Sequence, residues 1–195
     1  MLRCFCLLLS LAVALPANAQ RPLPPTAEQI AAAVLPLPAE LRDGATVLGY
    51  RAPDQLVELR RGTNGMRCLA LYAMREDFHV ACYQDGLESF MARGRALRAE
   101  GVTGAQVDTV RYREIAAGTL KLPAYGTLYS ITTRRENFDA ATNTLKDASL
   151  LAVVYIPGAT SESTGLSAQP RRDGPWLMFP GSPKAHIMMV GTMNP

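Results

Sequence analysis

Residues 66–83 read MRCLALYAMREDFHVACY. Two runs rich in Leu, Val and aromatic residues, 66–72 and 78–83, flank five residues, 73–77, a length that suits a hairpin connection. Counting back from that loop pairs Tyr72 with Phe78, Ala70 with Val80 and Cys68 with Cys82. Directly opposed Cα atoms of antiparallel strands lie about 4.5–5.5 Å apart, within the range a disulfide bridges. The register therefore predicts a Cys68–Cys82 disulfide, and the bond in turn supports the register. Period-two alternation places Tyr72, Ala70, Val80 and Phe78 on the face of the sulfurs, the face expected to be buried, and turns His79 and Tyr83 the other way.

Working outward, residues 45–50 and 55–61 are two further strand-like runs, set off by Ala52-Pro53-Asp54 and by Gly62-Thr63-Asn64-Gly65. With the pair above they read as a four-stranded β-meander, in which Asn64-Gly65 supplies the positive φ of a tight hairpin turn. Upstream, Thr26-Ala27-Glu28-Gln29 has the spacing of a capping box opening a short helix that Pro36 and Pro38 stop. Downstream of Asp85 the period changes: Leu87, Phe90, Met91 and Leu97 recur at helical spacing until Gly101. Thr103-Gly104-Ala105-Gln106 again resembles a capping box and predicts a second helix to about Ala117, stopped by Gly118. Strand patterns return at 127–133 and 149–156, the latter with the unbroken apolar run LLAVVYI of a central strand. Between them lies a polar connection. Thr160 is placed to cap one helical turn, 169–183 reads as loop, and 185–190 as a last strand. The expected fold is α+β: a mainly antiparallel sheet with an N-terminal β-meander, two central helices and one disulfide.

The chain opens MLRCFCLLLSLAVALPANAQ, with basic Arg3, an apolar run to Leu15, and Pro16 ahead of Ala17-Asn18-Ala19. This is the three-part pattern of a cleavable secretory signal, too short for a membrane span of roughly 20 residues. Cleavage is expected after Ala19, leaving 20–195 as a single exported α+β domain, secreted or periplasmic, with no transmembrane segment in the mature chain. Removal of the signal takes away Cys4 and Cys6 and leaves one pair of cysteines for an oxidising compartment. A formal charge of +3, with basic residues scattered rather than striped, gives no reason to expect nucleic acid as a partner.

The motifs of zinc proteases, dithiol redox centres, serine hydrolases and phosphate-binding loops are absent, and no cofactor is expected. Chemistry-bearing residues concentrate at the C-terminal end, PWLMFPGSPKAHIMMV, which holds the only tryptophan, Trp176, and one of two histidines, His186. His186 and Met188 share one face of the expected strand, a soft pair of the kind that binds Cu(I). The plain alternative is that the methionines fill core gaps and His186 is structural. A hydrolase would instead place His186 or His79 beside a hydroxyl such as Ser130 or Ser182, with a carboxylate behind the imidazole. Glu76 with Asp77 and Asp108 with Glu114 can be written as acid/base pairs, and Arg93, Arg95 and Arg98 as a basic helix face, though ordinary surface charge accounts for both.

The segments GTNGMRC (62–68), Cys82 with the amphipathic helix after it, and PKAHIMMV (183–190) resemble exported bacterial proteins that share a G-T-N-G-x-x-C turn, a later cysteine and a closing H-x-M strand. The resemblance brings no activity with it. It implies that the turn and the final strand are neighbours in the sheet, with Asn64, Trp176 and His186 near one edge as binding residues. The reading that follows is a binding or accessory module for a small molecule or protein, with a hydrolase using His186 and a metal-binding protein using His186 and Met188 as alternatives.

Overall fold

The structure, a computed structural model, describes residues 21–72 and 75–193. The expected signal peptide and its expected cleavage after Ala19 lie outside the described residues. Helices α1 (Thr26–Ala33) and α2 (Ala39–Arg42) precede strands β1 (Thr46–Ala52), β2 (Gln55–Arg60), β3 (Met66–Leu69) and β4 (Asp77–Gln84). Helices α3 (Glu88–Ala99) and α4 (Gln106–Ala116) follow, then β5 (Gly126–Arg134), the small pair β6 (Phe138–Asp139) and β7 (Thr144–Leu145), and β8 (Ala148–Tyr155). A single helical turn α5 (Ser161–Thr164) leads to β9 (Trp176–Met178) and β10 (His186–Met193). The fold is α+β, with one eight-stranded sheet in the order β2-β1-β3-β4-β5-β8-β10-β9.

The register expected of β3 and β4 is present: Cys68 lies opposite Cys82, and the two form a disulfide with Cα atoms 3.9 Å apart. The ladder ends at Leu69 and Ala81, after which the Ala70 amide donates to the Leu48 carbonyl of β1. Tyr72 therefore leaves the disulfide face, and its ring lies against Tyr50 at 5.3 Å.

The β-meander is not what forms. β1 pairs antiparallel with β2 but parallel with β3, so β1 lies between two strands that are consecutive in the chain. After β2 the chain passes across the start of β1 rather than folding back as a hairpin. Gly62 donates its amide to the Thr46 hydroxyl, and the amides of Thr63 and Asn64 both donate to the Gly44 carbonyl. Asn64 completes the crossing by donating its side-chain amide to the Leu41 carbonyl and accepting from the Met66 amide. Gly65, at φ +75°, turns the chain into β3.

Neither of the two expected capping boxes forms. Gln29 is buried, and its amide joins α1 to β1 by accepting from the Tyr50 amide and donating to the Tyr50 and Pro24 carbonyls. Gly49 makes room for it, since a Cβ there would stand 2.7 Å from the Gln29 Oε1. The α4 start has no side-chain cap. Thr160, by contrast, forms a reciprocal box with Ser163. β9, inside the expected loop 169–183, is three residues long and bounded by prolines, too short for a period to show.

The sheet is covered on both faces. Ala33, Val34 and Leu37 pack on Val47, Met66, Cys68, Ala70 and Cys82 on the disulfide face. On the opposite face Leu87, Phe90, Met91 and Ile115 from α3, α4 and their flanks pack on Tyr83, Leu128, Val153, Tyr155 and Met188. Tyr83, expected on a solvent face, is thus in a second core.

Candidate functional site

The β8–β10–β9 register sets Tyr155, His186 and Met178 abreast, and Val153, Met188 and Trp176 abreast one step along. His186 is 5% exposed and sits between the rings of Tyr155, at 5.0 Å, and Phe179, at 5.7 Å. A carbonyl can only accept, so the 2.6 Å contact to the Lys184 oxygen fixes the proton on Nδ1. Burial lowers the His186 pKa and keeps the ring neutral. Ser182, the nearest hydroxyl in the chain, donates to the Phe179 carbonyl and accepts from the Lys184 amide, holding its own turn.

The nearby carboxylate, Asp108, is engaged elsewhere. One oxygen accepts from Arg111 and the other from Lys184 at 2.8 Å. Burial by itself would raise its pKa, but the hydrogen bonds and charges of Lys184 and Arg111 outweigh burial and hold the carboxyl below its ordinary range. Arg111 is buried, donates to the Phe90 carbonyl and stacks 3.7 Å over the Phe90 ring. Gly94 on α3 leaves space for it, because a Cβ there would approach the Arg111 Nη1 to 2.9 Å. His186, Lys184, Asp108 and Arg111 therefore tie β10 to α4 and α3. A base oriented by an acid toward a nucleophile is a different arrangement.

The other candidates are similarly placed in structural pairs. His79 is half-buried with its Nδ1 2.8 Å from the Thr132 hydroxyl. Asp77 is paired with Arg75, and Glu114 with Arg93 across the α3–α4 interface; both carboxyls are lowered, chiefly by those hydrogen bonds, whereas a general acid needs the opposite shift. Met188 shares the His186 face, as expected, but packs with Val153 and Tyr155 in the core. Trp176 is buried, and its indole nitrogen has no hydrogen-bond partner among the described residues. Asn64 does not join this group. β4, β5 and β8 lie between β3 and β10, so the turn and the final strand are not neighbours.

No protein-family model, curated protein or solved structure matches the chain. The geometry must carry the reading alone.

It does so at the other end of the sheet. An open cleft of about 820 Å³ lies between the β1–β2 hairpin and α3, lined by Tyr50, Pro53, Asp54, Leu56 and Tyr72 on one side and by Arg95, Ala96, Arg98 and Ala99 on the other. Tyr50 and Leu56 are directly opposed in the hairpin, and the parallel β1–β3 pairing brings the Tyr72 ring against Tyr50 at an interplanar angle of 46°. Ala96 and Ala99 keep the helix wall low. Arg95 is held from behind: its guanidinium donates to the Tyr83 hydroxyl at 2.8 Å and to Glu88 at 2.7 Å, while Tyr83 donates to the other Glu88 oxygen at 2.5 Å. Burial, more than any other influence, raises the Tyr83 pKa and keeps that hydroxyl a donor. Of the chemistry-bearing residues singled out in the sequence, Arg95 and Arg98 belong to this cleft; Tyr72, expected on the disulfide face, lines it too, and Tyr50 and Leu56 carry no signal beyond their strand pattern.

Proposed function

We propose that this chain is an exported binding module whose ligand occupies the cleft between the β1–β2 hairpin and α3. The observation that carries the reading is the composition of that cleft: an aromatic and aliphatic floor beside an arginine whose position is fixed by Glu88 and Tyr83. Small-molecule sites combine a mostly apolar lining with a few placed polar groups in volumes of about 300–1,000 Å³. Export is supported by the disulfide, and among the described residues no helix is long and apolar enough to cross a membrane.

A mixed library of peptides, sugars and organic acids screened by NMR tests the reading. Binders should move the resonances of Tyr50, Leu56, Ala96 and Ala99 and leave those around His186 in place. Binders that map only to the His186 end would remove the proposal, as would hydrolytic turnover lost in His186→Ala. The metal-binding alternative rests on the shared face of His186 and Met188, and an anaerobic Cu(I) titration unaffected by His186→Ala would eliminate it.

A further inference from the structure

The charges of the cleft point to a ligand class, an inference that rests on the binding reading above. Its helix wall carries two guanidinium groups. Arg95 uses two of its five N–H donors on Tyr83 and Glu88. Arg98 donates to the Gly94 carbonyl of its own helix and has no carboxylate partner among the described residues. The facing wall carries the opposite charge. Asp54, exposed in the β1–β2 turn, accepts the Tyr72 hydroxyl at 3.4 Å and forms no ion pair among the described residues. The Tyr50 hydroxyl lies within the field of both walls. Burial is the main reason its pKa is raised; Tyr72 and Asp54 add to the rise, and Arg95 works against it.

Cation and anion are thus held apart across a floor of Tyr50, Tyr72 and Leu56. We propose that the cleft takes a short peptide with free termini, its terminal carboxylate on Arg95 and Arg98, its terminal ammonium on Asp54, and an apolar side chain against the tyrosines. Arginine suits the carboxylate because its planar fork offers two parallel donors. The tyrosine faces suit both the apolar side chain and the ammonium. A volume of about 820 Å³ accommodates two or three residues more readily than a single amino acid.

The test uses three probes with the purified exported protein: the dipeptide Ala-Phe, its N-acetyl form, which lacks the ammonium, and its C-terminal amide, which lacks the carboxylate. Affinities are read by calorimetry or by shifts of the cleft resonances. Each cap should weaken binding about tenfold, the loss expected for a hydrogen-bonded charge. Arg98→Gln, which leaves Arg95 in place, should reduce the preference for Ala-Phe over the amide alone, and Asp54→Asn should abolish the preference over the acetylated form alone. Arg113→Gln, on the exposed side of α4, should change neither. Equal affinity for all three probes overturns the inference, as does a uniform loss in Arg98→Gln and Asp54→Asn, which would assign those residues to the shape of the cleft. If none of the probes binds while library compounds still reach the cleft, the ligand class is wrong and the binding reading stands. If nothing in either experiment reaches the cleft, both fall.

Discussion

A Cβ on Gly62 would stand 2.2 Å from the Thr46 nitrogen and 2.4 Å from the Gly44 oxygen, and its three nearest neighbours are all backbone atoms rather than flexible side chains. A Cβ on Gly65 would meet nothing within 4 Å, although its φ of +75° is unfavourable for other residues. The two glycines of one loop therefore respond differently to alanine. Gly62→Ala is expected to lower the unfolding free energy by about 3 kcal/mol, the upper range for overpacking, and Gly65→Ala by about 1 kcal/mol, the left-handed penalty. Urea titration of the two variants checks this, and equal costs would mean that the crossing is not tight. The same loop marks a limit of sequence reading. Gly62 to Gly65 announces a change of direction, but local propensity does not say which strand the chain meets next. Gln29 is similar: its spacing from Thr26 fits a cap, and its partner at Tyr50 is invisible to any local window.

The elements legible in the sequence are those fixed by short-range constraints. Two cysteines spaced for opposed strands settle the β3–β4 register, although the ladder stops at Leu69 and Ala81 short of the expected five-residue loop, and a run of apolar residues at helical spacing settles α3. The disulfide joins residues 14 apart and lies wholly within the core. In the chain-entropy account a loop of that length restricts the unfolded state by about 3 kcal/mol. The double variant Cys68→Ser, Cys82→Ser should lose about that much, seen as a lower urea midpoint; an unchanged midpoint would contradict it. The cleft was illegible for a matching reason. In a meander Tyr50 and Tyr72 end strands that are not adjacent, and only the parallel β1–β3 pairing makes their rings neighbours. Arg95 and Arg98 could be noticed as basic residues on one helix, yet the wall they face depends on a contact no periodicity encodes.

Taken across the molecule, His186 is buried and His79 half-buried, and burial lowers the pKa of each. The unfolded chain takes up protons near the ordinary value of about 6.5, while the folded chain resists until lower pH. Stability should be complete above that value and decline as pH falls below it. Asp108 acts with the same sign at lower pH, since its carboxyl is held down by Lys184 and Arg111 once burial has been overcome. Its contribution should begin to fall near the ordinary value of about 4 and be lost as pH drops through the lowered folded value. Unfolding curves at pH 7.5, 5.5 and 3.5 should show both declines, and His79→Asn with His186→Asn should remove the first. A first decline unaltered in that double variant would exclude the histidines as its source. The His186 end of the sheet was conspicuous in the sequence because rare residues gather there, and in the fold they pack together: the His186 ring lies, tilted, 5.0 Å from Tyr155, whose hydroxyl burial pushes up to about 12, and 5.7 Å from Phe179.

Threading β1 between β2 and β3 also constrains the order of assembly. The segments 55–60 and 66–69 are joined by a short loop rich in turn-forming residues, which favours their closing directly on each other in competition with the still shorter β1–β2 turn at residues 53–54. A chain that does so has built a shortcut that excludes the central strand, and it must come apart before β1 can enter. Productive folding therefore belongs to molecules in which 46–52 has already found one of its two flanks.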